Sequence, residues 1–260
     1  MKVNKIICGD NIQVMKTLPD NCINLTVTSP PYDNLRDYQG YTFDFEAVAQ
    51  QLYRITKQGS VVVWVVGDAT VNGSETGTSF RQALYFMEVG FNLHDTMIYA
   101  KKIGRPIGSV YGYNQTFEYM FILSKGKIKT FNPIQDVKNK NFKNKQKEVE
   151  HCRQGGNKRV IKPNKYNKRS NVWLYVVGGG LSAKGKIPFK HPAIFPERLA
   201  QDHIISWSNK GDLIFDPFCG SGTTCKMARE NDRDFIGIEI SEEYCKIANQ
   251  RINNAQLSLF

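Results

Sequence analysis

The residues best suited to do chemistry are Thr28-Ser29-Pro30-Pro31-Tyr32, which follow the apolar run Ile23 to Val27. Two successive prolines end a strand, because neither supplies a ladder N–H and each fixes its own φ. A strand-ending turn is therefore one reading of the pentapeptide. The other is a rigid turn, Pro30-Pro31, that offers one small planar substrate the Ser29 side chain, the Pro30 carbonyl and the Tyr32 ring. Two acceptors and a stacking face suit a base that carries an exocyclic amino group. An aromatic amine is a poor nucleophile because its lone pair is delocalised into the ring. Fixed acceptors on both N–H bonds push the nitrogen toward a tetrahedral geometry and free that pair for attack on an electrophile. A stiff proline carbonyl does this with little reorganisation. Tyr32 would stack on a base that has left its duplex.

A second constellation lies near the C-terminus, where the strand Asp212 to Phe215 leads into Asp216-Pro217-Phe218-Cys219-Gly220-Ser221-Gly222-Thr223-Thr224. A glycine-rich turn between a strand and a helix lets a ligand approach the backbone closely. It is not a phosphate loop, since no lysine follows the glycines, and its spacing is not that of a dinucleotide fingerprint. Asp216 and the backbone of Phe218, Cys219, Gly220 and Ser221 suit a zwitterionic amino-acid group, with Gly222 and Thr223 completing the turn. The strand Phe235 to Ile238 ends at Glu239, about twenty residues further on, where an acid commonly grips the two hydroxyls of a ribose. The alternative for Glu239 is a solvated carboxylate ahead of a Ser241 cap. Asp10, which closes the strand Val3 to Cys8, has two readings as well. It is the N-cap of a helix Asn11 to Leu18, or a carboxylate that accepts a hydrogen bond from a ligand lying across a parallel sheet.

These groups need a frame, and the hydrophobic pattern supplies one. Helices are expected over 43–57, ended by Gly59, and over Ser79 to Glu88, stopped by Gly90. Val61 to Val66 is the continuous β-branched run of a strand buried on both faces, and Leu93 to Ala100 and Glu118 to Leu123 are further strands. Pro196 stands where a helix begins, with Glu197 in its first turn, and Ser241 to Asn253 forms the last helix. Strand and helix in alternation mean a parallel sheet with helices on its faces.

At 260 residues the chain holds one α/β domain with an insertion, or two small domains. Six cysteines lie apart, without a CxxC pair or a His/Cys cluster at metal spacing. They read as reduced thiols of a cytoplasmic protein, with no metal site, and no apolar run reaches membrane length. The net charge of +11 is concentrated: between Lys125 and Ser170, fifteen Lys and Arg face only Asp136, Glu148 and Glu150. That segment is the footprint of a polyanion, although a Lys/Asn-rich stretch is also what a solvated loop looks like. The aromatics Phe131, Phe142 and Tyr166 are interleaved with its charge. Arg153, Arg159 and Arg169 are its expected base readers, and lysines such as Lys162, Lys165 and Lys168 its expected phosphate contacts.

With both motifs in hand, the chain resembles the DNA amino-methyltransferases, which modify N4 of cytosine or N6 of adenine. The order, Thr-Ser-Pro-Pro-Tyr first and Asp-Pro-Phe-Cys-Gly-Ser-Gly-Thr-Thr last, is similar to the family's beta group, in which the cofactor half is permuted to the C-terminus. The resemblance implies a seven-stranded, mostly parallel, Rossmann-like sheet. It also implies a catalytic half over 1–124, a target-recognition insertion over 125–190 and a cofactor half over 191–260. By that resemblance Ser29, Pro30 and Tyr32 hold a flipped base, and Asp10 binds the adenine of S-adenosylmethionine. Glu239 binds its ribose, and Asp216 with Phe218, Gly220 and Gly222 its methionine portion. His191 and Pro196 match the motif that completes the pocket, and Asn114 to Ser124 the family's antiparallel strand. Methyl transfer is then direct, and Cys219 is a small packing residue.

Ser29 resembles the cytosine-N4 enzymes, where adenine-N6 enzymes more often carry Asp or Asn, so N4 of cytosine is the expected target and N6 of adenine the alternative. The implied partner is double-stranded DNA, with a separate restriction endonuclease as a further possibility. Protein or RNA amino groups are substrates of related enzymes and remain a rival expectation.

Overall fold

A computed structural model describes residues 1–31, 44–102, 113–140, 142, 147–149, 159–161, 164–177 and 196–255. The chain divides into two compact units, residues 1–132 with 171–260, and residues 133–170.

The larger unit is built on one sheet with the strand order β1-β14-β13-β2-β3-β7-β6-β12. Its strands are β1 (Lys5–Cys8), β2 (Ile23–Thr28), β3 (Thr56–Val66), β6 (Asn92–Lys102), β7 (Phe117–Ser124), β12 (Val172–Val176), β13 (Leu213–Asp216) and β14 (Asp234–Glu239). Only β7 runs against its neighbours β3 and β6, and every other pairing is parallel. Helices α1 (Asn11–Lys16), α2 (Phe45–Ile55), α3 (Thr78–Val89), α4 (Glu197–Trp207) and α5 (Thr223–Glu230) lie between the strands in the chain, and α6 (Glu242–Asn253) follows the last one. A small hairpin, β4 (Thr70–Val71) with β5 (Ser74–Glu75), follows β3.

The local causes are visible in the sequence. Asp44 caps α2 by accepting from the Ala47 N–H at 3.0 Å, Ser241 caps α6, and Gly90 closes α3 at φ 119°. The run Val61 to Val66 is buried throughout, as a central strand covered on both faces must be. Trp64 packs edge-on against Phe86, and its indole N–H is satisfied by Gln82 at 2.8 Å.

Two expectations change. The sheet has eight strands among the described residues rather than seven, because Val172–Val176 joins the edge beside β6. Its alternation, with Trp173 and Tyr175 buried between exposed Val172, Leu174 and Val176, is that of a half-covered strand. Gly59 does not end α2. The helix stops at Ile55, β3 starts at once, and Gly59 lies inside it at φ 86°, where the register with β2 shifts. Pro196 is the N-cap of α4 and Glu197 lies in its first turn, where the helix is expected to begin.

The smaller unit carries two antiparallel pairs, β8 (Gln135–Lys138) with β11 (Tyr166–Lys168), and β9 (Lys147–Val149) with β10 (Arg159–Ile161). It lies within the segment 125–190.

Candidate active site

The strand order defines where a ligand should bind. From β13 the chain crosses through α5 to β14 on one side, whereas from β2 it crosses through α2 to β3 on the other. The order therefore turns back between β13 and β2, and in open α/β sheets the crevice outside the carboxyl ends of such a pair is the ligand site. Thr28 and Asp216 are the last residues of those two strands.

Asp216 is 1% exposed. Its Oδ1 accepts from the Thr28 hydroxyl at 2.7 Å and from the Phe218 N–H at 3.1 Å. Burial pushes its carboxyl up to about 7, against the lowering effect of those hydrogen bonds. Ser29 and Pro30 follow Thr28 directly, so the two motifs meet at one edge of the sheet. Ser29 is half-buried, Pro30 buried and Pro31 half-buried. Tyr32 lies outside the described residues.

The glycine turn is held mainly by its N–H groups. Phe218 N donates to Asp216, Cys219 N to the Ile238 carbonyl at 2.9 Å, and Gly220 N to Glu239 Oε2 at 2.9 Å. Gly222 has φ 79°, and a Cβ there would stand 2.8 Å from that of Ala248 on α6. Only glycine admits both the left-handed backbone and the close helix. The backbone donors proposed from sequence at Phe218, Cys219 and Gly220 are thus engaged within the protein. Ser221 and Thr223 side chains are buried and bonded to Arg251.

Glu239 spans the turn and the next helix: Oε2 takes Gly220, and Oε1 takes the Ser241 N–H at 2.9 Å. Burial raises its carboxyl above the ordinary value. The end of β1 is tied alongside by Gly9 N to the Glu239 carbonyl at 2.9 Å, which brings Asp10 and Glu239 to neighbouring strand ends. Asp10 does act as the N-cap of α1, accepting from the Gln13 N–H at 2.9 Å.

Cys219 is buried, and its thiol is pushed up by the neighbouring Cys225 thiol and by burial. A thiol so protonated is no nucleophile. The five cysteines among the described residues are free, and no group of acids, histidines and cysteines there has the make-up of a metal site. No helix among the described residues is long and apolar enough to cross a membrane.

In the smaller unit, Lys165 and Lys168 are exposed, as are Phe142 and Tyr166. Arg169 is paired with Asp136: its guanidinium makes a two-point contact, at 2.8 and 2.9 Å from Nε and 2.5 Å from Nη2. Phe131 is no part of that unit, and its ring stacks on Trp207 at 4.8 Å. His191, Arg153 and Lys162 lie outside the described residues, as does the Arg159 side chain. Sequence reasoning missed Arg251, Glu197 and Lys226, a buried ionic cluster behind the glycine turn. The one available signal was an arginine within the apolar spacing of α6.

The architecture is that of the DNA methyltransferases. The cytosine-N4-specific PvuII DNA methyltransferase superposes with a TM-score of 0.70 at 19% identity, over 96% of this chain and 87% of that one. The complex of M1.HpyAVI with S-adenosylmethionine gives 0.65 at 22%, over 96% and 98%. In sequence, the family profile described as DNA methylase matches residues 23–250. The orphan methyltransferase M.BamHII of Bacillus amyloliquefaciens is 58% identical over 245 residues, 92% of each chain. The Type II methyltransferase M.BglII of Bacillus subtilis is 25% identical over 264 residues, 95% of this chain and 68% of the relative. The protein belongs to the DNA methylase family of N6 and N4 amino-methyltransferases.

Proposed function

We propose that this DNA methyltransferase transfers the methyl group of S-adenosylmethionine to N4 of cytosine in double-stranded DNA. The observation that carries the reading is the Thr28–Asp216 hydrogen bond, which brings the proline turn and the glycine turn to one crevice. The donor set fits the cofactor. A buried carboxylate at Asp216 suits an ammonium group, and a carboxylate at the end of β14 suits a diol.

When bound, the cofactor supplies an electrophilic methyl group on a sulfonium. Asp216 and the turn from Phe218 to Gly222 would hold its methionyl end, Glu239 its ribose and Asp10 its adenine edge, with His191 and Pro196 closing the pocket. Ser29 and the Pro30 carbonyl accept the two N–H bonds of the target amine, and Tyr32 stacks on the flipped base. Held this way by Ser29 and Pro30, the amine nitrogen would direct its lone pair at that methyl group, and its surplus proton would pass to solvent. The cytosine assignment rests on Ser29, a neutral hydroxyl where adenine enzymes more often place Asp or Asn. The basic unit 133–170 supplies the phosphate contacts.

Duplex DNA is incubated with methyl-labelled S-adenosylmethionine, digested to nucleosides and analysed by mass spectrometry. Labelled N4-methylcytosine is the expected product. N6-methyladenine would overturn the base assignment alone, and an unlabelled DNA would overturn the whole reading.

A further inference from the structure

Behind the glycine turn lies a set of charges that neither the base nor the cofactor assignments use. Arg251, on α6, is 5% exposed. Its Nη1 faces the Ser221 carbonyl at 2.6 Å, the Ser221 hydroxyl at 2.7 Å and the Thr223 hydroxyl at 3.1 Å. Its Nη2 donates to Glu197 Oε1 at 2.8 Å, and the Lys226 ammonium of α5 reaches the same oxygen at 2.6 Å. Glu197 stands in the first turn of α4. One carboxylate thus binds two buried cations from two further helices.

Such a cluster is an expensive way to pack helices, because desolvating the charges offsets most of their attraction, and an apolar trio of similar volume often does as well. An apolar trio cannot, however, bond a carbonyl. The turn's N–H groups at Phe218, Cys219 and Gly220 are already held by Asp216, Ile238 and Glu239. Arg251 holds a carbonyl instead, that of Ser221. The turn is thus held through its N–H groups and through a carbonyl, and Glu197 aims the guanidinium that makes the second of these contacts.

We propose that Arg251 is a positioning residue, aimed by Glu197, that fixes Ser221 and Thr223 in the backbone geometry that receives the methionyl end of S-adenosylmethionine. The proposal rests on the reading of this turn as the cofactor loop. Arg251 touches no reacting atom and acts through the turn, so its effect falls on cofactor binding and not on DNA binding.

The test uses the full chain. Cofactor affinity is measured by calorimetry, alongside DNA affinity, melting temperature and steady-state constants, for the parent, R251K and E197Q. Lysine keeps the charge but cannot reach Glu197 and Ser221 together. Loss of binding shared by the ground and transition states raises KM and leaves kcat alone, so a rise of about 10-fold to 100-fold in the cofactor KM of R251K is expected, with kcat and the DNA KM unchanged. E197Q, which keeps an acceptor oxygen but removes the charge that Arg251 and Lys226 share, should move in the same direction by a smaller factor. A folded R251K with the parent's cofactor KM would overturn the proposal, as would equal loss of DNA and cofactor affinity. Failure of both variants to fold would also overturn it, since the cluster would then serve the fold alone. A parent that gives no heat with S-adenosylmethionine would overturn the cofactor reading first, and the proposal with it.

Discussion

Thr28 donates its hydroxyl to Asp216 Oδ1 at 2.7 Å across 188 residues of chain, and this bond ties the last residue of β2 to the last residue of β13. Both side chains are buried. The bond therefore joins the strand that presents Ser29 and Pro30 to the strand that opens the glycine turn.

Removing the Thr28 hydroxyl leaves a buried carboxylate short of a donor. Hydrogen bonds to such groups contribute about 1.5–3 kcal/mol. T28V should be less stable by about that amount in chemical denaturation and slower in methyl transfer at saturating cofactor. Unchanged stability and rate would mean that the bond is incidental.

Gly222 meets two constraints at once, a left-handed φ of 79° and Ala248 at 2.8 Å from the would-be Cβ. The backbone alone costs about 1–2 kcal/mol for a residue with a Cβ, and overpacking adds a further 1–3 kcal/mol or so. G222A should lower the melting temperature by several degrees, and G222A combined with A248G should recover part of the loss. A double variant no better than G222A would place the whole cost in the backbone.

Much of this was legible in the sequence, and for physical reasons. The proline turn, the glycine turn and Glu239 are each fixed by local chemistry at a strand end, and the buried run at Val61 to Val66 can hardly be anything but a central strand. Strand β12 was hidden because its alternating residues follow directly on a basic, aperiodic stretch. Gly59 misled because a glycine after a helical pattern reads as a stop, whereas here it serves a bulge in β3. Arg251 was passed over, and the Asp136 partner of Arg169 was not foreseen, for one reason: whether an arginine faces solvent, a phosphate or a carboxylate depends on partners such as Glu197 and Asp136, distant in sequence. Propensity says nothing about such pairs.

Neutralising the exposed lysines of the smaller unit should weaken DNA binding without touching the cofactor. Each phosphate contact contributes about 0.9 to the slope of log affinity against log salt. The triple variant Lys138→Gln, Lys165→Gln, Lys168→Gln should flatten that slope by up to about 3, with calorimetric cofactor affinity unaltered. An unchanged slope would remove these residues from the interface.

Asp216 makes the stability of the free protein depend on pH. Its carboxyl is pushed from the ordinary 3.8 up to about 7 by burial. The folded state therefore binds more protons than the unfolded chain between those values, and stability falls as pH rises through that window. D216N cannot ionise, so the melting temperature of the parent should drop relative to that of D216N between about pH 4 and pH 7. Parallel curves would mean that Asp216 keeps an ordinary carboxylate range.

The most direct test of the crevice between β13 and β2 is calorimetric titration of S-adenosylmethionine into the parent and D216N at pH 6 and pH 8. Ionised Asp216 is the form that binds an ammonium group. The parent should bind more tightly at pH 8 than at pH 6, with release of a proton on binding at pH 6, where free Asp216 is mostly protonated, and D216N should bind weakly at both. Equal affinity in the two proteins would contradict the assignment of the cofactor's methionyl end to Asp216.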